Sequence, residues 1–312
     1  MIYSQSIREV KGGKFRLAMS KTGLIAYDRE TPLTIRFNEK ETLSLLKKNI
    51  EFSKYDYYCE VAHLEISNRC NMKCPYCYVG EKEGRELSTE DWKKILDNLA
   101  NGGIFQVSFG GGEPTMRQDI FELADYVSKL KMNLGMTTNG LYLDSLDPIK
   151  LKQYFKQINV SWHQNEAAME KSLKFLMDNR IPRGINYTMA NEMWIDNPKV
   201  KGFAREYDAE LLYLVYKPVI GDWSNQMKGS DVYAIAKEAA NEGLKVAVDG
   251  PCVNQCLMKR KFIDVDSMGN VYPCSFVRKP LGNLLQTDFR KIWSERGEQD
   301  ECPFVKIMNK EN

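Results

Sequence analysis

No stretch of the sequence reaches the roughly 18 consecutive apolar residues that a membrane-crossing helix needs. Residues 1–17 also lack the apolar block and small-residue cleavage site of an export signal, so the expected location is cytoplasmic, with no membrane partner. An excess of one charge is missing too. Lys and Arg number 44 against 42 Asp and Glu, and a net charge of +2 gives no electrostatic footprint for a nucleic acid. Low-complexity tracts are absent, as are internal repeats beyond a βα alternation. What is there suits a folded enzyme-sized chain: 43% hydrophobic and 28% charged residues exclude wholesale disorder, and 312 residues suffice for one barrel-sized domain with an appendage.

Eight cysteines in a chain expected in a reducing compartment are better read as thiolate ligands or core residues than as a disulfide framework. Their positions separate the two uses. Cys70, Cys74 and Cys77 fall within eight positions, while Cys252, Cys256, Cys274 and Cys302 come late. Cys59 stands apart, before the first strand of the repeat, and is expected to be buried as a small hydrophobe.

From about residue 60, β-branched runs alternate with amphipathic helical stretches and are bounded by Gly, Asn, Asp or Pro. The runs at 61–67, 105–109, 134–138, 158–162, 184–189 and 211–216 predict six strands, with helices such as 88–100 and 120–131 between them. This alternation predicts an α/β fold, a partial (β/α)6 TIM-like barrel whose ligand site lies at the C-terminal ends of the strands. Residues 1–59 read as an N-terminal extension of short strands and turns leading into a helix at 39–50. Residues 60–245 form the barrel, and 246–312 form a turn-rich tail with a helix at 288–296.

The chemistry-bearing residues gather at the predicted strand ends. Cys70, Cys74 and Cys77 make a C-x3-C-x2-C loop directly after the first strand. Three thiolates there can hold three irons of a cubane and leave the fourth iron open, as a catalytic metal centre requires. Gly110, Gly111, Gly112, Glu113 and Pro114 follow the second strand, where glycines bring backbone close to a ligand and expose its amides as donors. Together, the cysteine loop, Tyr76 just before the third cysteine, and the Gly-Gly-Glu-Pro string resemble the radical S-adenosylmethionine superfamily.

That resemblance implies a 4Fe-4S cluster on Cys70, Cys74 and Cys77, with the amino and carboxylate groups of S-adenosylmethionine chelating the open iron. It further implies a cofactor pocket formed by Tyr76, Gly111, Gly112, Glu113 and Pro114, with Asn139, Ser161 and Asn186 facing the ribose or carboxylate. In that pocket Glu113 would accept a hydrogen bond from the cofactor's ammonium. His63, inside the first strand, reads as a packed or hydrogen-bonded residue, whereas His163 after the fourth strand is the candidate for contact with substrate.

The tail holds a second set of sulfur ligands. The stretch from Cys256 to Cys274 reads as a β-hairpin turning at Gly269, which brings its ends together. It resembles the auxiliary-cluster extension called SPASM, in the shortened form called twitch, with one further 4Fe-4S cluster on Cys252, Cys256, Cys274 and Cys302. The rival reading, which the same count of four thiolates permits, is a structural zinc. The resemblance implies reductive cleavage of S-adenosylmethionine to a 5'-deoxyadenosyl radical, with electrons from a flavodoxin or ferredoxin. The radical would abstract hydrogen from a peptide or, alternatively, from a small molecule such as a sugar, a nucleotide or a cofactor precursor. A non-catalytic electron carrier is the remote alternative, and a carrier has no use for the Gly-Gly-Glu-Pro string.

Overall fold

The six predicted strands form in order, each within about three residues of its expected bounds, and further strands extend the sheet on both sides. The computed structural model describes residues 7–9, 15–28, 34–79, 86–191, 196–217, 225–253 and 260–297. The sheet runs β11 (Val246–Val248), β10 (Glu210–Val215), β9 (Arg183–Met189), β8 (Phe155–Ser161), β7 (Asn133–Thr138), β6 (Gln106–Gly111), β5 (Val61–Ser67), β12 (Phe262–Val265), β13 (Asn270–Tyr272) and β14 (Gly282–Asn283). Pairing is parallel from β11 through β12, so the parallel part has eight strands rather than the expected six. The helices α2 (Thr89–Asn101), α3 (Ile120–Lys129), α4 (Pro148–Tyr154), α5 (Glu166–Asp178), α6 (Asn197–Glu206) and α7 (Gly229–Asn241) separate successive parallel strands.

Local chemistry sets several helix boundaries. Ser88 caps α2 by accepting from the Asp91 amide, and the buried stripe Trp92, Ile95, Leu96 and Leu99 faces the sheet. The N-terminal region forms a separate antiparallel sheet of β1 (Ile7–Glu9), β2 (Phe15–Ser20), β3 (Gly23–Asp28) and β4 (Thr34–Phe37), followed by α1 (Glu39–Leu46). α1 ends four residues earlier than its pattern suggests, because Lys47 takes a left-handed conformation with φ of 50° and closes the helix there. Among the described residues no helix is long and apolar enough to cross a membrane.

The tail's expected hairpin forms, with Asp264 opposite Tyr272 and the turn at Gly269, whose φ is +82°. It joins the main sheet: β12 lies parallel to β5, with His63 beside Asp264 in the register. A buried charge cluster seals this seam. His63 Nδ1 is 2.6 Å from Asp264 Oδ1, and Arg278 donates to Asp264 Oδ2 at 2.9 Å and also to Glu65 Oε1. Asp264 is fully buried, and the hydrogen bond and charge of His63, with the charge of Arg278, outweigh burial and hold its carboxyl below the usual aspartate value. α8 (Phe289–Glu295) then anchors the tail, with Phe289 against Gly102 and the Trp293 indole donating to the Tyr57 carbonyl at 2.9 Å.

Glu65 carries the proton of this cluster. Burial, joined by the adjacent Asp264 carboxylate and only partly offset by Arg278, pushes it up to about 9. Its unfolded counterpart ionises near 4.5, so between those values the folded state binds the extra proton and stability falls as pH rises. Glu65→Gln keeps the neutral shape. Urea denaturation at about pH 6 and about pH 8.5 should show parent stability dropping between the two and the variant's staying nearly level. Equal pH slopes would show that Glu65 is ionised in the fold.

Candidate functional site

The strand ends open into one cavity of about 550 Å3, within the usual size for a small-molecule site. Its wall includes Cys70, Cys74, Tyr76, Cys77, Gly111, Gly112, Glu113, Asn139, Ser161, His163, Asn186 and Cys274. The cysteine loop and the glycine run, one βα unit apart in sequence, thus share a chamber with the tail. Pro114 is buried just behind the wall, opening a short turn in which the Thr115 amide is capped by Glu113. Cys252 is also buried and is pushed up to about 12 by burial and by the nearby Asp249. Cys256 and Cys302 lie outside the described residues.

The glycines are required for a different reason than ligand approach alone. Gly111 has φ of +104°, and a Cβ on it would stand 2.5 Å from the Ser67 carbonyl oxygen. At Gly112 a Cβ would stand 2.1 Å from the Arg69 carbonyl oxygen. The run therefore packs directly against the first turn of the cysteine loop. Its amides are used there as well: Gly112 N donates to Ser67 O and Glu113 N to Arg69 O, both at 2.7 Å. These two donors, expected to face a ligand, instead clamp the loop.

Glu113 is likewise engaged within the chain. Its Oε1 accepts from Thr115 N, Thr115 Oγ1 and Thr138 Oγ1, and its Oε2 accepts from Asn139 N at 2.8 Å. The carboxylate stitches the β6 turn to the end of β7, and its first effect on a ligand is to position the backbone around it. Asn139 continues the stitch. Its side-chain amide donates to Asn71 Oδ1 at 2.7 Å and lies 4.0 Å from Cys70 Sγ. Ser161 and Asn186 stand side by side in the β8–β9 register, with Asn186 Oδ1 accepting from Asn159.

Two residues that carried no motif hold the base of the cysteine loop. Glu86 accepts from Ser67 Oγ at 2.6 Å and from the Asn68 and Arg69 amides. Although partial burial raises its pKa, these bonds and the Arg69 charge bring it below the ordinary glutamate value. Arg117 is buried and donates to the Ile66 carbonyl at 2.6 Å and to the Leu87 carbonyl, pinning the end of β5. A helix-start pattern around Ser88 and a lone Arg after Gly-Gly-Glu-Pro were the available signals, and neither names a partner.

The histidines divide the cavity between them. His163, after the fourth strand and on the cavity wall as expected, has its Nδ1 2.8 Å from the Tyr76 hydroxyl and 3.8 Å from Cys74 Sγ, which places it beside the cysteine loop. His63 is on the tail side of the chamber. Its Nδ1 faces Asp264 and, because a carboxylate only accepts, is the donor of that pair, while Nε2 faces the chamber. Nε2 stands over Gly110 and 3.5 Å from the Tyr78 hydroxyl, both cavity residues. This dyad was illegible in sequence because its members are 201 residues apart.

The donor set suits an iron-sulfur centre. Cys70, Cys74 and Cys77 are free of disulfides and line the chamber, and the Met72 amide donates to Cys70 Sγ at 3.4 Å, as amides do to thiolate ligands. Among the described residues no three of His, Cys, Asp and Glu converge where a single metal ion would be held. Ligands of a cubane bind separate irons and need no such point.

Comparison with known proteins agrees with this chemistry. Residues 64–167 match the family model of the Radical SAM superfamily, and residues 256–311 match the SPASM model, an iron-sulfur cluster-binding domain. The PqqA peptide cyclase of Rhodopseudomonas palustris is 26% identical over 248 residues, covering 68% of this chain and 66% of the cyclase. The Fe-coproporphyrin III synthase of Methanosarcina barkeri is 32% identical over 152 residues, covering 43% of this chain and 38% of the synthase. In both cases the chain spans less than two thirds of the relative's length. The crystal structure of Streptococcus suis SuiB bound to precursor peptide SuiA has the same fold, with a TM-score of 0.70 at 18% identity over 95% of this chain and 89% of SuiB. A cysteine loop, glycine run and tail thus meet in one chamber, in a chain that carries a radical SAM superfamily match over residues 64–167 and an iron-sulfur cluster-binding SPASM match over residues 256–311.

Proposed function

We infer that this chain is a radical S-adenosylmethionine enzyme that modifies a peptide or protein side chain. The observation that carries the reading is the shared chamber: Cys70, Cys74 and Cys77, the Gly-Gly-Glu-Pro turn, and Cys274 of the tail all border it. Cys70, Cys74 and Cys77 hold a 4Fe-4S cluster, the backbone around Gly111 to Pro114 holds the cofactor's amino-acid end, and Asn139, Ser161 and Asn186 hold its ribose side. Cys252, Cys256, Cys274 and Cys302 hold an auxiliary cluster. When bound, these groups supply one-electron cleavage of S-adenosylmethionine and a 5'-deoxyadenosyl radical, chemistry that no side chain provides.

The chain's own residues do the rest. Apolar Leu212, Leu214, Val215 and Phe276 keep the chamber poor in water, and the Lys217–Asp249 ion pair borders it with Lys217 4.8 Å from the Phe276 ring centre. His63, oriented by Asp264, is the group placed to take or return a substrate proton at Nε2. An electron donor of the flavodoxin or ferredoxin type serves the cluster from the cytoplasm. The likeness to the PqqA peptide cyclase and the fold of a structure solved with a precursor peptide support a peptide substrate. A second reading, a tetrapyrrole or other small molecule, draws on the 32% identity over 152 residues to the Fe-coproporphyrin III synthase.

Anaerobically reconstituted enzyme should lose about four irons per chain in the Cys70→Ala/Cys74→Ala/Cys77→Ala variant. Retention of all iron would remove the cluster assignment. With dithionite and S-adenosylmethionine, peptides encoded beside the gene should raise 5'-deoxyadenosine release and change mass, as followed by mass spectrometry. Stimulation by iron coproporphyrin alone would select the second reading. No 5'-deoxyadenosine from cluster-loaded protein would sink the enzymatic one. On the substrate that stimulates, His63→Gln should keep 5'-deoxyadenosine release and lower product by about tenfold to a hundredfold. Unchanged product yield would take the proton-transfer role from His63.

A further inference from the structure

We propose that His163 is a positioning residue for the first cluster, donating a hydrogen bond from Nδ1 to the sulfur of Cys74 and so raising the reduction potential of the iron-sulfur centre. The inference rests on the reading of Cys74 as a cluster ligand and adds to it a residue outside both the cysteine loop and the Gly-Gly-Glu-Pro string. The geometry is local and specific. His163 follows β8, Cys74 lies on the loop after β5, and the imidazole bridges the two across the chamber, 3.8 Å from Cys74 Sγ and 2.8 Å from the Tyr76 hydroxyl.

Tyr76 fixes the ring's plane. The two rings lie 18° from parallel with centroids 6.1 Å apart, and the Tyr216 ring meets Tyr76 edge-on with centroids 6.4 Å apart. Nδ1 therefore points at the cysteine loop and cannot swing away without breaking this stack. A cysteine sulfur bound to iron is a thiolate, and a thiolate accepts hydrogen bonds but donates none. Against it, the tautomer with a proton on Nδ1 is the one that gains, and the phenol oxygen of Tyr76 accepts from the same proton or donates elsewhere. Hydrogen bonds to cluster sulfurs stabilise the reduced, more negative state, and outer partners of this kind tune a metal centre without touching it.

The test needs no substrate. Anaerobic holoenzyme is titrated potentiometrically and followed by electron paramagnetic resonance, reading the reduced signal that changes when S-adenosylmethionine is added. In His163→Leu the midpoint should move to a more negative potential, lowering the ratio of reduced to oxidised cluster at a fixed poise by about threefold or more. His163→Asn, whose amide nitrogen can occupy the place of Nδ1, should restore most of the shift. His163→Gln, which offers its donor at the place of Nε2, should not. Iron content measured on each variant separates a failed cluster assignment from a failed hydrogen bond.

Should His163→Leu lose its cluster, the parent enzyme decides. The chain has only 2 histidines, so 15N-histidine labelling makes any weak nitrogen coupling to the reduced cluster assignable. A coupling in pulsed spectra that persists in His63→Gln and is lost in His163→Asn supports the hydrogen bond. An unshifted midpoint in cluster-loaded His163→Leu, or no histidine coupling in the labelled parent, overturns the proposal.

Discussion

The seam between β5 and β12 is the constraint on which the rest depends. β5 delivers the cysteine loop at its C-terminal end, and β12 is the first strand of the tail's hairpin, so their parallel register decides whether the loop and Cys274 face one chamber. Backbone pairing alone would tolerate a slip of the register. Asp264 prevents it. A slip would strand a fully buried carboxylate away from His63 and Arg278, and an uncompensated buried charge is strongly destabilising.

A second lock acts from the other side of β5. The turn after β6 is pressed so closely against residues 67–69 that no side chain larger than hydrogen fits at Gly111 or Gly112, and its amides bind the loop's carbonyls. Glu113 then ties that turn to Thr138 and Asn139, and Asn139 reaches back to Asn71. The result is a closed circuit of contacts around the cysteine loop. The loop is preorganised by the fold, as a site held within a few tenths of an ångström must be.

Much of this was legible in the sequence. The C-x3-C-x2-C spacing and the Gly-Gly-Glu-Pro string are local signals, and the six central strands follow from period and punctuation. The placement of the tail was not legible, because strand pairing over a separation of 201 residues leaves no local trace in either segment. His63 read as a packed residue for the same reason, its role being set by Asp264. The glycines were found for a partly mistaken reason: a glycine run signals close approach but does not say whether the approaching group is a ligand or, as here, the chain's own carbonyls. Glu86 and Arg117 act through backbone carbonyls, amides and a serine hydroxyl, which residue patterns do not encode.

The strand order has a consequence for how the protein is made. β5 belongs to the first fifth or so of the chain to appear during synthesis, yet the neighbour that covers one of its edges comes from residues 262–265. Until that segment leaves the ribosome, the strand leading into the cysteine loop presents an open edge, the kind of surface that recruits stray strands. The barrel can thus assemble from β5 through β11 while His63 waits for Asp264. Closure of the chamber is among the late events of folding, and an iron-sulfur centre delivered before it would meet a half-built wall.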